Sequence, residues 1–462
     1  MTRTFSFVRA VAAALVVLAG AVPARAQIDG PAALAAAASG DRGLTLDEAI
    51  AIALENNREI NAASHSVASA NLAMATARSY RLPQFSVEAL GAQSITPLGV
   101  DFPAGAFGVF EGIGAVPAVD TRVTSPRRPL MLTQATLTQP ISQLFKINLN
   151  VKASAVGRDI EQEQLRRTMQ TTAASVRKAY YALLQVDASL RAAEAVLDAS
   201  RALDAVVGER VVQRVALRGD GLQSQLRVAE AVQQRLTLQN ARAEREEQFN
   251  LLLGREPHTR VVVVPVAITD DSEVDVEAVI GDAIDRRADV RAARLKVEQA
   301  ELQQRVTNAG RIPDVSLAMS YQSFFNSDLL PRNMASVGVQ AKWEPWDWGR
   351  RQREARQNGH DVERAKLALR QAEDQVRIEV ARSYRDIQQA RGQVVLARAS
   401  REVARDRLRV TTERIKVAAA LPVDGLSANR ELAEAAAREQ DALSGYWAAR
   451  AAYEQAIGED VR

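Results

Sequence analysis

Two periodicities alternate along this chain and sort it into ribbons and rods. After Pro313 the apolar positions Val315, Leu317, Met319 and Tyr321 alternate with Asp314, Ser316, Ala318 and Ser320; Val337, Val339, Ala341 and Trp343 alternate in the same way with Gly338, Gln340, Lys342 and Glu344. A period of two puts successive side chains on opposite faces and predicts two strands, the second returning toward the start of the first. Elsewhere a period of seven takes over. Val380, Ile387, Val394, Leu408 and Ile415 recur at that spacing, interrupted at Arg401, and Ser383, Ala390, Ala397, Ala404 and Thr411 follow successive steps by three residues. Val176, Leu183, Leu190, Leu197 and Val211 repeat the pattern with Asp204 out of place, flanked by Ala179, Val186, Ala193, Ser200 and Val207. Sustained heptads predict a coiled-coil seam, and small residues at one seam position allow close helix approach. A helix over about 147–215 would run on the order of 100 Å at ~1.5 Å per residue. No compact globule needs such a rod.

The chain also matches itself. An offset of 230 lays Leu46–Gly91 on Val276–Tyr321, pairing Ile50 with Ile280, Leu54 with Ile284, Glu59 with Asp289, Leu72 with Leu302, and Arg81-Leu82-Pro83 with Arg311-Ile312-Pro313. An offset of 204 lays Val176–Gly254 on Val380–Gly458, pairing Tyr180 with Tyr384, Glu209-Arg210 with Glu413-Arg414, and Asp220-Gly221-Leu222 with Asp424-Gly425-Leu426. This is a tandem duplication. The difference between the offsets leaves about 26 extra residues in the first copy, near 91–130, a Gly, Pro and Ala-rich stretch that predicts a long loop. Each copy reads helix, strand, loop, strand, very long helix, tight turn, helix. Thr45-Leu46-Asp47-Glu48 has capping-box form and starts the first helix, which the Pro83 region ends. The first-copy strands, 84–92 and 131–139, alternate less cleanly and rest partly on the repeat.

Met1–Arg9 carries Arg3 and Arg9, Ala10–Val22 is apolar, and Ala24-Arg25-Ala26 offers a small-x-small cleavage site, the layout of a secretory signal. A membrane anchor needs about 20 apolar residues, more than this run holds. The expected organisation is a signal peptide over 1–26, a linker over 27–43, a first repeat over 44–258, a linker over 259–274, a second repeat over 275–458 and a tail over 459–462. In the second linker Arg260–Val266 reads as a buried extended segment packed on the rods, too short to cross a membrane. Removing the leader balances 56 Lys and Arg against 56 Asp and Glu, so nucleic acid is not an expected partner. With no Cys, there is no disulfide, thiolate metal site, cysteine nucleophile or lipid-bearing N-terminal cysteine. His65, His258 and His360 lack ligand spacing, and no nucleophile elbow, phosphate-cradling Gly loop or His-Glu-x-x-His helix is present, so neither an enzyme nor a bound cofactor is expected. Glu244–Glu247 reads as a solvated helical face.

Four strands of about ten residues could cross a bilayer when tilted, with one face to lipid and one inward. They also leave two open edges, whose unpaired backbone groups cost several kcal/mol each in hydrocarbon, so such a sheet must close with copies of itself. Two copies give eight strands and a filled interior; three give twelve and leave a lumen.

Three stretches resemble one known family. Arg287-Ala288-Asp289-Val290 with Ala300–Pro313 is similar to its Arg-Pro-Asp-Leu helix running into Leu-Pro. Trp343–Arg351 (WEPWDWGRR) is similar to its strand-to-helix entry, and the Asp-Gly-Leu pairs at 220 and 424 to its Asp-Val-Leu after the coiled-coil turn. At matched places in a duplication, they make the chain resemble the TolC-like outer membrane efflux proteins over about Leu44–Gly458. The resemblance implies a mainly α fold with a small β part: four transmembrane strands and long coiled-coil helices per chain, trimerising into a 12-stranded β-barrel continuous with an α-helical barrel. It further implies the outer membrane of a Gram-negative bacterium, a periplasmic tunnel, a periplasmic adaptor (membrane fusion) protein, and an inner membrane pump of RND, ABC or MFS type. The protein would be a passive exit duct for efflux or type I secretion. The competing readings are a non-conducting, periplasm-spanning coiled-coil stalk or adhesin, which the two strand pairs suit poorly, and a soluble periplasmic binding protein.

The resemblance places Asp220 and Asp424 at the narrow periplasmic end, where symmetry would make them a cation-attracting ring. The residues themselves also fit an N-cap role, and the two are compatible. Six residues before each Asp, where the family favours Gly, stand Arg214 and Ala418, and Ala420 replaces a basic residue that locks the closed end in some members. Arg214, Arg218, Ala418 and Ala420 are expected in the turn region facing the adaptor. Trp343, Trp346 and Trp348, with Phe324 and Phe325 at the other end of the hairpin, read either as membrane-interface aromatics or, for the tryptophans, as burial at a strand–helix joint. Pro140 and Gly349 mark the bends at those joints.

Overall fold

The computed structural model describes residues 43–93, 95, 98–125, 129–264, 266, 275–325, 331–417 and 419–458. The expected signal peptide, nearly all of the N-terminal linker, Pro265, Ala418 and the tail lie outside the described residues. In chain order the elements are α1 Leu46–Asn56, α2 Arg58–Ser79, β1 Gln84–Gln93, β2 Leu98–Phe102, β3 Val109–Phe110, β4 Gly114–Ala115, β5 Thr121–Ser125, β6 Pro129–Pro140, α3 Leu144–Val212, α4 Arg218–Leu252, α5 Val276–Arg286, α6 Ala288–Ala309, β7 Asp314–Phe325, β8 Asn333–Lys342, α7 Arg350–Lys416 and α8 Pro422–Ala456. The fold is mainly helical and duplicated, with one four-stranded antiparallel sheet in the order β1-β6-β7-β8. The β6–β7 pairing joins the two copies.

Two expectations need correction. The stretch 91–130 is not a plain loop: β2 pairs with β5 and β3 with β4, nested inside the β1–β6 hairpin, with an Asp101–Arg122 ion pair of 3.3 Å across the outer ladder. These strands are too short to show alternation, and the glycines that read as loop supply the left-handed turn positions, as at Gly112 (φ +83°) and Gly114 (φ +86°). Nor is the first helix continuous. Thr45 and Glu48 do form the capping box, but α1 ends at Asn57, whose extended backbone separates it from α2. The Asn57 side chain accepts from the Glu59 and Ile60 amides and donates to the Leu252 carbonyl at 2.9 Å. A side chain that satisfies the exposed amides of a new helix start makes the break affordable. The second copy breaks at the equivalent Arg287.

The 69-residue α3 and 67-residue α7 carry the heptads. Val380, Ile387, Val394, Leu408 and Ile415 are buried with Ser383, Ala390, Ala397 and Ala404, as are Val176, Leu183, Leu197, Ser200 and Val207 on α3. The interruptions find polar partners on the neighbouring helix: Arg401 donates to Glu439 at 2.7 Å, and Asp204 accepts from Ser224. Across the bundle α3 packs on α4 and α8, and α7 on α8. The largest core gathers Val176, Tyr180, Phe249, Ile387, Val394 and Trp447 with Ala49 and Ile50 of α1, and Tyr181 stacks on Trp447 at 4.5 Å. Val261 and Val263 are buried in it, as expected of the linker, although a single bridge from Leu44 to Val263 is its only described β pairing. The Tyr180 hydroxyl, between the Leu44 and Val264 carbonyls at 2.9 and 2.8 Å, accepts from the Val264 amide at 3.1 Å and ties this linker to the rod.

At the second break the Arg287 guanidinium binds Asp289 at 2.6 Å and also reaches Glu379 on α7. Burial pushes the Asp289 carboxyl up, but the hydrogen bonds and charge of Arg287 outweigh it and hold it below its ordinary value. A carboxyl that titrates lower folded than unfolded contributes fully above the unfolded value of about 3.9 and loses its contribution as pH falls through the folded value. Asp289→Asn should therefore cost about 1–2 kcal/mol at pH 7, discounted for partial exposure. In denaturant titrations that difference should shrink as pH is lowered below the unfolded value of about 3.9; an undiminished difference in acid contradicts the ion-pair account.

Candidate functional site

The register of the sheet sorts its side chains into two unlike faces. Phe85, Leu137, Met319 and Val337 line up across the four strands, followed by Val87, Ala135, Tyr321 and Ala335, with Leu317 beside Val339 and Val315 beside Ala341 on the other side. Most of these are exposed, Val337 and Val339 at 69% and 70%. The opposite face carries Ser86, Thr136, Ser320 and Ser336 in one row, Glu88, Gln134 and Gln322 in the next, and Gln84 with Thr138 in a third. Ser320 and Ser336 share a hydrogen bond of 2.8 Å. An apolar face left bare is the unusual feature, since a soluble sheet covers its apolar side. The edge strands β1 and β8 are exposed along their whole length.

Phe325 and Trp343 fall on the apolar face by alternation, at opposite ends of it, while Phe324 falls on the polar face beside Leu132. Trp346 and Trp348 are 71% and 80% exposed in the single chain, so the joint itself does not bury them; they meet edge to face at 5.8 Å. Trp348 and Gly349 are both left-handed, φ +54° and +76°, and this double reversal turns β8 into α7. Asp347, which sequence reasoning missed, caps the new helix by accepting from the Gly349 and Arg351 amides at 3.0 and 3.2 Å. At the first-copy joint Pro140 is the buried last residue of β6. Ser142 bonds Pro313 O and Val315 N there, and Lys146 pairs with Asp314.

At the far end, the two turns between long helices are built alike. Val215 N bonds Arg210 O at 2.9 Å, and Ala419 N bonds Arg414 O at 2.8 Å. Asp220 and Asp424 are not N-caps but stand in the third helical position. Each carboxylate reaches back to the amide of the capping residue, Leu217 at 3.1 Å and Leu421 at 3.0 Å. The caps are leucines, which offer no oxygen, so the Asp supplies the acceptor from within the helix. Asp424 is exposed and lines a groove of about 770 Å³ between α7 and α8 with Glu402, Asp406, Arg407, Arg414 and Ser427. Ala420 packs beside Leu203, Val207, Ile415 and Leu426. Arg218 opens α4, exposed, and Ala418 lies outside the described residues. Arg214 occupies a left-handed position, φ +58°, where glycine carries no Cβ penalty.

Sequence reasoning also missed the use of Arg210. Its guanidinium donates to the Ile415 and Lys416 carbonyls at 3.0 and 2.5 Å, so the end of the first rod closes the last turn of the second. The Glu-Arg pairs matched by the repeat were the available signal. Among the described residues no helix is long and apolar enough to cross a membrane, which says nothing of strands.

A duplicated chain with a bare, two-faced sheet at one end of paired rods is the protomer of an outer-membrane channel fold. A family model described as Outer membrane efflux protein matches residues 49–255 and 279–459, and the chain belongs to that family. Its fold is similar to the outer-membrane channel OprN (18% identity, TM-score 0.74, 89% of each chain) and to VceC of Vibrio cholerae (16%, 0.72, 90% of this chain and 97% of that one). It is also similar to MtrE of Neisseria gonorrhoeae (15%, 0.71, 90% and 89%). Among curated proteins none matches the chain by sequence.

Arg214→Gly should relieve about 1 kcal/mol of left-handed backbone strain. Hydrogen exchange should show it as slower exchange of the amides over 211–216; unchanged or faster exchange contradicts a strained turn.

Proposed function

We propose that three copies of this chain pool their sheets into a twelve-stranded barrel in the outer membrane and continue below it as a helical tunnel. The assembly is a passive exit channel, fed by a periplasmic adaptor and an inner membrane pump of RND, ABC or MFS type. The observation that carries this reading is the sheet itself: one apolar face left bare, one polar face, and two unpaired edges. In hydrocarbon those edges must pair, and three sheets closing edge to edge satisfy them while turning the Ser, Thr and Gln rows toward a lumen. Between the rows of Trp343 and Phe325 lie about 12 steps, roughly 40 Å at ~3.3 Å per residue; at the ~40° tilt of such strands this spans roughly 30 Å, the thickness of a bilayer core. The two aromatics then mark the interfaces. Asp220 and Asp424 would stand as rings near the tunnel's far end, with Arg214, Arg218, Ala418 and Ala420 in the turns that face the adaptor. Choice of cargo falls to pump and adaptor.

Purified protein in planar bilayers should give discrete conductance steps; silence at every voltage and salt concentration tried argues for a non-conducting stalk. Leu317→Arg, on the apolar face, should lose outer membrane insertion by about 2–4 kcal/mol of lipid-facing cost, whereas Ser320→Arg should insert normally. Fractionation and heat-modified gel mobility read the difference, and equal insertion of both variants would reverse the assignment of the faces.

A further inference from the structure

The polar face of the sheet changes character at the end away from the rods. Beyond the row of Glu88, Gln134 and Gln322 comes a row of Leu90, Leu132 and Phe324, in register across β1, β6 and β7. Met334 stands on the same face of β8, opposite Gln322. Leu90 is 62% exposed, and Met334 is exposed as well. In the twelve-stranded assembly every copy adds these four side chains to the outer end of the lumen, an apolar collar above rows of hydroxyls and amides.

The same end of the sheet carries a second bare apolar surface. Between β2 and β5 the chain folds into a knob over 103–119, held by its own backbone: Phe107 N bonds Val116 O at 2.9 Å and Val116 N bonds Gly108 O at 3.0 Å. The Phe107 ring meets Phe102 at 5.1 Å. Yet Phe107 and Phe110 are exposed, and Val109 and Ile113 are 78% and 77% exposed. Of the charged residues in 98–125, Asp101 and Arg122 pair with each other and Asp120 accepts the Ala104 amide at 2.8 Å. Glu111 is left as the one charge at the tip. An ordered apolar tip with so little charge is poorly suited to standing in water.

Collar and knob are within reach of each other across the assembly. Twelve strands spaced ~4.8 Å apart and tilted ~40° form a wall of roughly 12 Å backbone radius. The five paired residues of β2 and β5 alone run about 16 Å at ~3.3 Å each. A ribbon of that length carries its knob past the axis to the wall of another subunit. We propose that the knob plugs the mouth of the barrel by seating on a second copy of this chain: Phe107, Val109, Phe110 and Ile113 of one subunit pack on Leu90, Leu132, Phe324 and Met334 of another. The contact takes two apolar surfaces out of water at once, and an apolar constriction sheds water and so blocks ions. The proposal rests on the channel assembly above and adds a closure at its outer end.

Two variants test the plug in planar bilayers. Replacing 103–120 by Asn-Gly joins Phe102 to Thr121 through a two-residue hairpin turn and removes the knob; Ile113→Asp keeps the knob and puts a charge into its seat. Both should conduct in steps at least about twofold larger than the parent chain. Because the chain lacks cysteine, Ile113→Cys with Leu90→Cys tests the contact itself: a short bis-maleimide in native membranes should shift the monomer band to two and three times its mass. Parental conductance in both variants, with the cysteine pair unlinked, overturns the plug and leaves the channel standing. A pair that links without a change in mass puts the knob on its own sheet and overturns the exchange between copies. A parent and variants that are all silent overturn the channel assembly and the plug together.

Discussion

Among the described residues no further strand pairs with the outer edges of β1 and β8, and the face between those edges is apolar and bare. Neither condition is stable in isolation: an open edge invites pairing, and a bare apolar face invites lipid or protein cover. Together they leave the sheet with an uncovered apolar face between two open edges. The rods follow from the same constraint, because β6 and β8 each run directly into a helix of nearly 70 residues, so the number of strands fixes the number of rods below them.

Duplication supplies the pieces economically, and the copies have then diverged where their surroundings differ. Both first helices break at the same place, yet Asn57 caps its break with a side-chain carbonyl while Arg287 pins its own to a carboxylate and to α7. Among the described residues the first copy alone carries the nested hairpins of 98–125, and the second alone the exposed tryptophans at the strand–helix joint. At the rod ends the equivalents differ in the same way: Arg210 bonds the Ile415 and Lys416 carbonyls, whereas the Arg414 side chain has no partner among the described residues. A repeat is one structural unit in two environments, and divergence marks the contacts that differ.

Much of the fold was legible in the residues. The heptads of α3 and α7 and the strand near 314 depend on local periodicity, which a single chain displays whatever it later packs against, and the strand near 84 was legible partly through the internal match. The parts that were not legible depend on partners distant in sequence. Nothing local at Asn57 announces that Leu252 will accept its amide, and the leucines before Asp220 and Asp424 hid the reach-back that makes those carboxylates third-position acceptors. Glycine-rich 98–125 read as loop because strands of two to five residues carry too few alternations to register.

By itself, then, the sequence determined which segments are rods and which are ribbons, that the unit occurs twice, and that cysteine chemistry has no place in it, since these are properties of residue order and composition. Tertiary structure alone decided the strand order β1-β6-β7-β8, the register that lines apolar positions up with apolar ones across four strands, and the closure of α7 by Arg210. Those outcomes require register and contact between separate segments, as far apart in sequence as β6 from β7 and Arg210 from Ile415, and hydrophobic periodicity carries no information about which distant segment will come to lie alongside.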